Sequence, residues 1–431
     1  MSFFSLVSIL ISLAAVSSYV NYRYIKLPTT VGVMLVALVG SLVLVLIGPY
    51  SEGFREQATT MVSQIDFNQV VLHGMLAFLL FAGAIHVKLG DLGREWLPIS
   101  LLAIFGTLIS TFIVGGVTWL VLGWLGLGIP FLYALIFGAL ISPTDPIAVL
   151  GIMKSVGAPR QLETQVAGES LFNDGLGVVI FLVLLQLAGL GKPAGSGAAT
   201  PISIGVGAVA MLLLREVGGA LVLGLTAGIL AYHMLKRVDN YQVEVLLTLA
   251  LAMGLYALAD ALHLSAPIAV VVAGLFIGNQ GRAFAMTEKT RDYVDTFWEL
   301  VDEIVNVVLF LLIGLELLVL PIELGWLVAG VLSIVVVLAA RWLSVAGIIG
   351  LLSRVRTQSK GSISILTWGG LRGGISVAMA LSIPANPSRS LVLTLTYFVV
   401  VFSILVQGLT VSRVIRATSS PTAIPQGSSR L

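Results

Sequence analysis

The 431-residue sequence predicts an all-α polytopic membrane protein with thirteen transmembrane helices. Three observations predict it. Hydrophobic residues make up 58% of the chain and charged residues only 10%, against about 25% in an ordinary soluble domain. The apolar residues fall into runs of about 20, the length of helix that crosses a bilayer core. The basic residues gather in alternate connections between those runs, as multi-pass topology requires. A soluble chain could not hide so much apolar surface, and the mean hydropathy of +1.06 likewise excludes a soluble globular protein. The 23 Lys and Arg are nearly balanced by 21 Asp and Glu, which excludes a nucleic-acid binder. Cysteine is absent, so disulfides, thiolate metal sites and cysteine nucleophiles are excluded. The four histidines at positions 73, 86, 233 and 263 are scattered, and no cofactor is expected.

Taken in order, segment one (3–20) has no basic flank and no small-residue cleavage site, so it reads as a retained helix rather than a signal peptide. Segments two to six run over 29–47, 70–87, 97–122, 131–150 and 163–186. Segment seven (203–234) is long enough to tilt or project from the bilayer. Segments eight to thirteen cover 244–260, 266–280, 303–320, 325–352, 362–383 and 390–408. With the N-terminus outside, 17 of the 23 Lys and Arg fall in inside connections. Only Arg55, Lys192 and Arg389 fall outside, while Arg215, Arg341 and Arg372 lie within or at the edge of segments. One segment more or less would scramble that sorting, so the C-terminus is expected in the cytoplasm. Residues 1–416 form one transmembrane domain, and 417–431 read as a short disordered cytoplasmic tail.

Charged side chains at bilayer depth are rare and face a cavity or a partner. Segment five carries Ser142-Pro143-Thr144-Asp145-Pro146. Its two prolines lack an N–H, which frees the carbonyls of Ala139 and Ser142 and breaks the helix. At membrane depth such carbonyls need protein, water or an ion. Segment six carries Gly168-Glu169-Ser170-Leu171-Phe172-Asn173-Asp174-Gly175. Residues four apart share a helix face, so Ser170 pairs with Asp174 and Glu169 with Asn173 on a neighbouring face. Two carboxylates on one helix repel unless one is neutralised. Arg341 of segment eleven is the candidate partner of Glu169, which leaves Asp174 free to titrate. Segment twelve is weakened by Gly369-Gly370-Leu371-Arg372-Gly373-Gly374. Arg372 must be paired or hydrated there, and it sets a positive field beside a cation site. Asp260 and Glu316 lie near segment ends and are expected to be solvated.

Segments five and twelve are the two interrupted segments. They are seven apart and therefore run in opposite directions. Segments one to six and eight to thirteen then form two inverted six-helix repeats, each with its discontinuous helix fifth. That is the pattern of a secondary transporter whose site lies where two broken helices meet.

At Thr144-Asp145-Pro146, Gly168 to Asp174, Arg341 and Gly369 to Gly373 the chain resembles the sodium/proton exchangers of the monovalent cation:proton antiporter-1 family, in their NhaP-type bacterial branch. The order and spacing match over essentially the whole chain. The resemblance implies crossed discontinuous helices and a homodimer in the inner cell membrane. It implies a core of 97–190 and 325–408 moving against a dimerisation part of 1–96 and 200–324 by alternating access. Asp174 would bind either a proton or the cation. Thr144, Asp145 and Ser170 would line a Na+ site with it, and Asn173 would mark electroneutral one-for-one exchange. Glu169 and Arg341 would be a structural ion pair, and Arg372 would stabilise the crossing. Some archaeal members carry a glutamate near the ion in segment three; Leu80 to His86 here has no acid, so no ligand is assigned there.

The expected function is exchange of Na+, and also Li+, for H+ across the lipid bilayer, with no enzymatic activity. A K+/H+ exchanger of the same fold is the alternative, because the same hard oxygens bind each cation. An intramembrane aspartyl protease using Asp145 and Asp174 fits poorly, since Asp174 precedes its Gly-Leu-Gly run and no Tyr-Asp motif occurs. A channel would need a continuous pore, and a redox-driven pump subunit usually carries chains of intramembrane Lys, Glu and His, whereas no lysine lies deep in a segment here.

Overall fold

The computed structural model describes residues 3–47, 74–190, 206–318 and 323–418. Residues 70–73 of segment three, 203–205 of segment seven, 319–320 of segment ten and the tail from 419 onward lie outside the described residues. Among the described residues all regular structure is helical, and one isolated antiparallel bridge joins Asp145 to Leu371.

Local chemistry sets many of the helix ends. Pro130 precedes Phe131–Ile141 and Pro159 precedes Arg160–Leu187, where a missing N–H costs little. The Asn240 side chain accepts from the backbone N–H groups of Gln242 and Val243 and so starts Tyr241–Ala261. Gly157 ends Ile147–Val156 in the left-handed conformation at φ 69°.

Among the described residues, seven helices are long and apolar enough to cross a membrane, and an eighth span follows if the bent pair Val7–Ile25 and Thr29–Leu44 is taken together. Segment five is divided into Phe131–Ile141 and Ile147–Val156, and segment twelve into Ser362–Trp368 and Gly374–Ser382. Segment ten differs from its expected bounds. Its helix runs Glu288–Glu316 and begins fifteen residues before 303, at a capping box formed by Thr287 and Thr290. The physical reason is its charged first half, which continues the helix but has no apolar run to reveal it. Glu316, expected in solvent, is buried at 3% exposure, with the Arg389 charge nearby, whereas Asp260 is exposed.

Three apolar clusters surround Arg160–Leu187. One gathers Val114, Phe137, Phe181, Leu312, Val337 and Leu395. A second gathers Phe81, Leu171, Leu255, Val270 and Trp298, whose indole N–H donates to Thr248 at 3.0 Å. The third holds Val149, Leu162, Val345 and Ile365. In lipid, close packing rather than exclusion of water holds such helices together. Arg160–Leu187 contributes to all three clusters, so its middle, with Glu169 to Asp174, lies at their junction.

Candidate functional site

The site grows out of two interruptions. Between Ile141 and Ile147, and again between Trp368 and Gly374, the helix is interrupted, and the two stretches meet at the antiparallel bridge of Asp145 and Leu371. The backbone N–H of Asp145 donates to the carbonyl of Leu371 at 2.8 Å. This bond satisfies backbone groups that lipid could not.

Arg372 answers the prolines. Its Nη1 donates to the carbonyl of Ser142 at 2.7 Å and of Pro143 at 2.9 Å. The freed Ser142 carbonyl therefore receives a guanidinium N–H. The Ala139 carbonyl is taken up by the N–H of Ser142 at 3.4 Å, a tightened last turn. Arg372 also faces the negative C-terminal end of Phe131–Ile141. Its own N–H donates to the Ser403 hydroxyl at 2.9 Å, and Ser403 donates to Gln407 at 2.8 Å. Ser403–Gln407 is a one-turn π-bulge in the last helix, and such bulges gather at functional positions.

The opposite charge lies across the crossing. A Cβ on Gly373 would collide with the Asp145 carboxylate, so only glycine lets that carboxylate sit against the chain just before Gly374–Ser382. Asp145 thus stands at the positive N-terminal end of that half-helix, as Arg372 stands at a negative one.

On Arg160–Leu187, Glu169 and Arg341 form a fork-to-fork ion pair. Arg341 Nη1 meets Glu169 Oε1, and Nη2 donates to Oε2 at 3.0 Å. Arg341 also donates through Nε and Nη2 to the Leu366 carbonyl, at 3.2 and 2.9 Å. A Cβ on Gly370 would lie 2.7 Å from Arg341 Nε, so this glycine makes room for the guanidinium.

Thr144 joins the two faces of that helix. Its hydroxyl lies 2.9 Å from the Ser170 hydroxyl and accepts from Asn173 Nδ2 at 2.9 Å. Its N–H donates to Asn173 Oδ1 at 3.3 Å. The separate faces expected for Ser170 and Asn173 are therefore bridged by one threonine. Asp174 is 8% exposed, and the charge that acts on it is Asp145. Its carboxylate takes part in no hydrogen bond among the described residues. The crossing thus assembles hydroxyl, amide and carboxylate oxygens around the middle of one helix, a donor set suited to a hard monovalent cation.

Sequence reasoning did not anticipate Ser403 and Gln407, although a polar pair four apart in an apolar run was a usable signal. Nor did it anticipate Asp302 and Asn306, which fell outside or at the edge of the expected segment ten.

The family model described as sodium/hydrogen exchanger, transmembrane, matches residues 9–417. A protein of Pseudomonas aeruginosa named Na(+)/H(+) antiporter NhaP is 50% identical over 95% of this chain and 96% of its own length. Na(+)/H(+) antiporter NhaH of Halobacillus aidingensis is 35% identical over 91% of this chain and 93% of its own. The solved structure of the sodium proton antiporter MjNhaP1 from Methanocaldococcus jannaschii at pH 8 superimposes with a TM-score of 0.75 at 21% identity, covering 97% of this chain and 99% of that one, which shows a shared fold. With a family model matched over nearly its whole length and relatives aligned end to end, the chain belongs to the sodium/hydrogen exchanger family of multi-pass membrane transporters.

Proposed function

We propose that the protein is a secondary active antiporter that exchanges Na+, and also Li+, for H+ in the cell membrane, one cation for one proton. The observation that carries this reading is the contrast between two acids on one helix. Glu169 is neutralised by Arg341, while Asp174, five residues on, is buried without a hydrogen-bonding partner among the described residues. The names of the relatives support Na+ as the cation.

In this mechanism a proton and a cation exclude each other at the Asp174 carboxylate. Thr144, Ser170 and Asn173 offer oxygens to the cation, and Asp145 adds negative field. Either loaded state cancels the Asp174 charge and can pass between outward- and inward-facing forms. The bare carboxylate resists, because moving an unpaired charge through a dry barrier is costly. That resistance couples the two fluxes. Glu169 with Arg341, and Arg372 at the crossing, hold the frame. The moving body is the core of 97–190 and 325–408, sliding against a dimerising remainder in thirteen crossings with the N-terminus outside and the C-terminus in the cytoplasm.

The test is dissipation of a pH gradient in proteoliposomes by Na+, Li+ and K+ in turn, with and without a membrane potential. Wild type responds to Na+ and Li+ at a rate indifferent to the potential, and Asp174→Asn, folded as wild type, gives none. Full Na+-driven proton flux from Asp174→Asn sinks the assignment, and a potential-sensitive rate sinks one-for-one exchange.

A further inference from the structure

Glu288–Glu316 brings a second group of oxygens close to the crossing. A Cβ on Gly374 would collide with the Leu309 side chain, so this helix packs directly on the half-helix that begins beside Asp145. Asn306 lies one turn before Leu309 and Asp302 two turns before it, on the same stripe, within about 10 Å along the axis. The Asp302 carboxylate and Asp145 lie within each other's field.

Asn306 makes this more than an acidic neighbourhood. It is 1% exposed, and its Nδ2 donates to the Asp302 carboxylate at 3.1 Å and to the Asp302 carbonyl at 2.8 Å. Its Oδ1 is buried and accepts nothing among the described residues. An unmet acceptor in a dry site is destabilising. Both amide donors are spent on Asp302, so covalent geometry holds that unmet oxygen close beside the carboxylate. With the amide's own N–H groups already spent on Asp302, what is left over is an unmet oxygen beside a negative carboxylate, which suits a cation rather than an anion.

We propose that Asp302 and Asn306 form a second, weaker station for a monovalent cation, next to the Asp174 site and on the helix that flanks the crossing. The proposal rests on the exchanger reading above. Segment three supplies no acid in this chain, and the station puts a carboxylate from segment ten on the approach instead. A cation waiting there raises the local concentration at Asp145 and Asp174 and enters the main site by a short transfer. The station is part of the approach, not of the carboxylate competition.

The experiment compares wild type, Asp302→Asn, Asp302→Glu, Asn306→Ser and Asp174→Asn as purified full-length protein in proteoliposomes, across a range of Na+ at fixed pH. Melting temperatures are recorded in detergent. Asp302→Asn is expected to raise the KM for Na+ about fivefold with Vmax held within about twofold, the signature of lost binding. Asn306→Ser shifts KM in the same direction by less, and Asp302→Glu restores it. Unchanged KM in both Asp302→Asn and Asn306→Ser overturns the station. So does equal loss of Vmax and melting temperature in Asp302→Asn and Asp302→Glu, which marks a structural role. Tl+ binding gives a second reading: Asp174→Asn protein keeps one weak site that Asp302→Asn or Asn306→Ser removes, and no residual Tl+ site overturns the proposal. Failure of the exchanger reading is seen separately, as Na+-driven flux surviving in Asp174→Asn.

Discussion

Asp145 and Leu371 share a backbone hydrogen bond of 2.8 Å, and through it the two interrupted helices become one bonded unit. Each interruption keeps one tight-turn bond of its own, Ser142 N–H to Ala139 and Leu371 N–H to Gly369, and the bond between Asp145 and Leu371 joins the two.

The closeness of that unit makes Gly373 intolerant. Gly373→Ala drives a methyl group into the Asp145 carboxylate, while the Asp145 N–H is already bonded to Leu371 and the Arg372 N–H to Ser403. Exchange in proteoliposomes is expected to fall at least about tenfold, as small displacements at a site can cause. Gly347→Ala, where a Cβ meets nothing within 4 Å, is the control and keeps wild-type rates. Normal activity in Gly373→Ala would show that Asp145 has room to move.

Glu169 and Arg341 are both buried, so breaking the pair costs more than removing it. Glu169→Ala leaves a buried guanidinium holding only the Leu366 carbonyl and is expected to lose about 3–5 kcal/mol of stability. Glu169→Leu combined with Arg341→Met removes both charges and recovers much of that loss. Thermal melting in detergent reads both, and a double variant less stable than either single one contradicts the argument.

For Arg372 the usual rule that lysine cannot replace arginine is softened. Both bonds to Ser142 and Pro143 come from a single nitrogen, so the fork geometry is not used there. Arg372→Lys is expected to keep the fold with a loss of about 1–2 kcal/mol. Arg372→Met orphans two carbonyls at about 1–3 kcal/mol each and fails to give stable protein. Equal melting of the two variants would count against this.

Competition at Asp174 has a definite pH signature. Below the pKa of the carboxyl, each unit of falling pH raises the apparent KM for Na+ about tenfold, while Vmax at saturating Na+ holds, because the cation displaces the proton. Above that pKa, KM is flat. A KM that stays constant while Vmax falls with pH would place the controlling proton elsewhere.

How much of this was legible depended on the range of the interaction. Most helix positions follow from apolar run length, and the two breaks follow from Pro143, Pro146 and the glycines around Arg372. The pairing of Glu169 with Arg341 follows from a scarcity of partners for a buried acid. The register of the crossing does not, because no local pattern says that Leu371 faces Asp145 or that Ser403 supports Arg372. The first half of Glu288–Glu316 was hidden for the opposite reason. Its helix is local and well capped, but its charged face resembles a loop when only apolar length is measured, and Asp302 was lost with it.

The bond from Arg372 to Ser142 spans 230 positions of sequence. During synthesis the first broken helix is therefore made long before the residue that completes it. Until segment twelve is inserted, the Ser142 and Pro143 carbonyls have no guanidinium, and Asp145 has no Leu371. The nascent first half must keep those groups hydrated or sheltered by the insertion machinery, and the transport site closes only at the end of biogenesis.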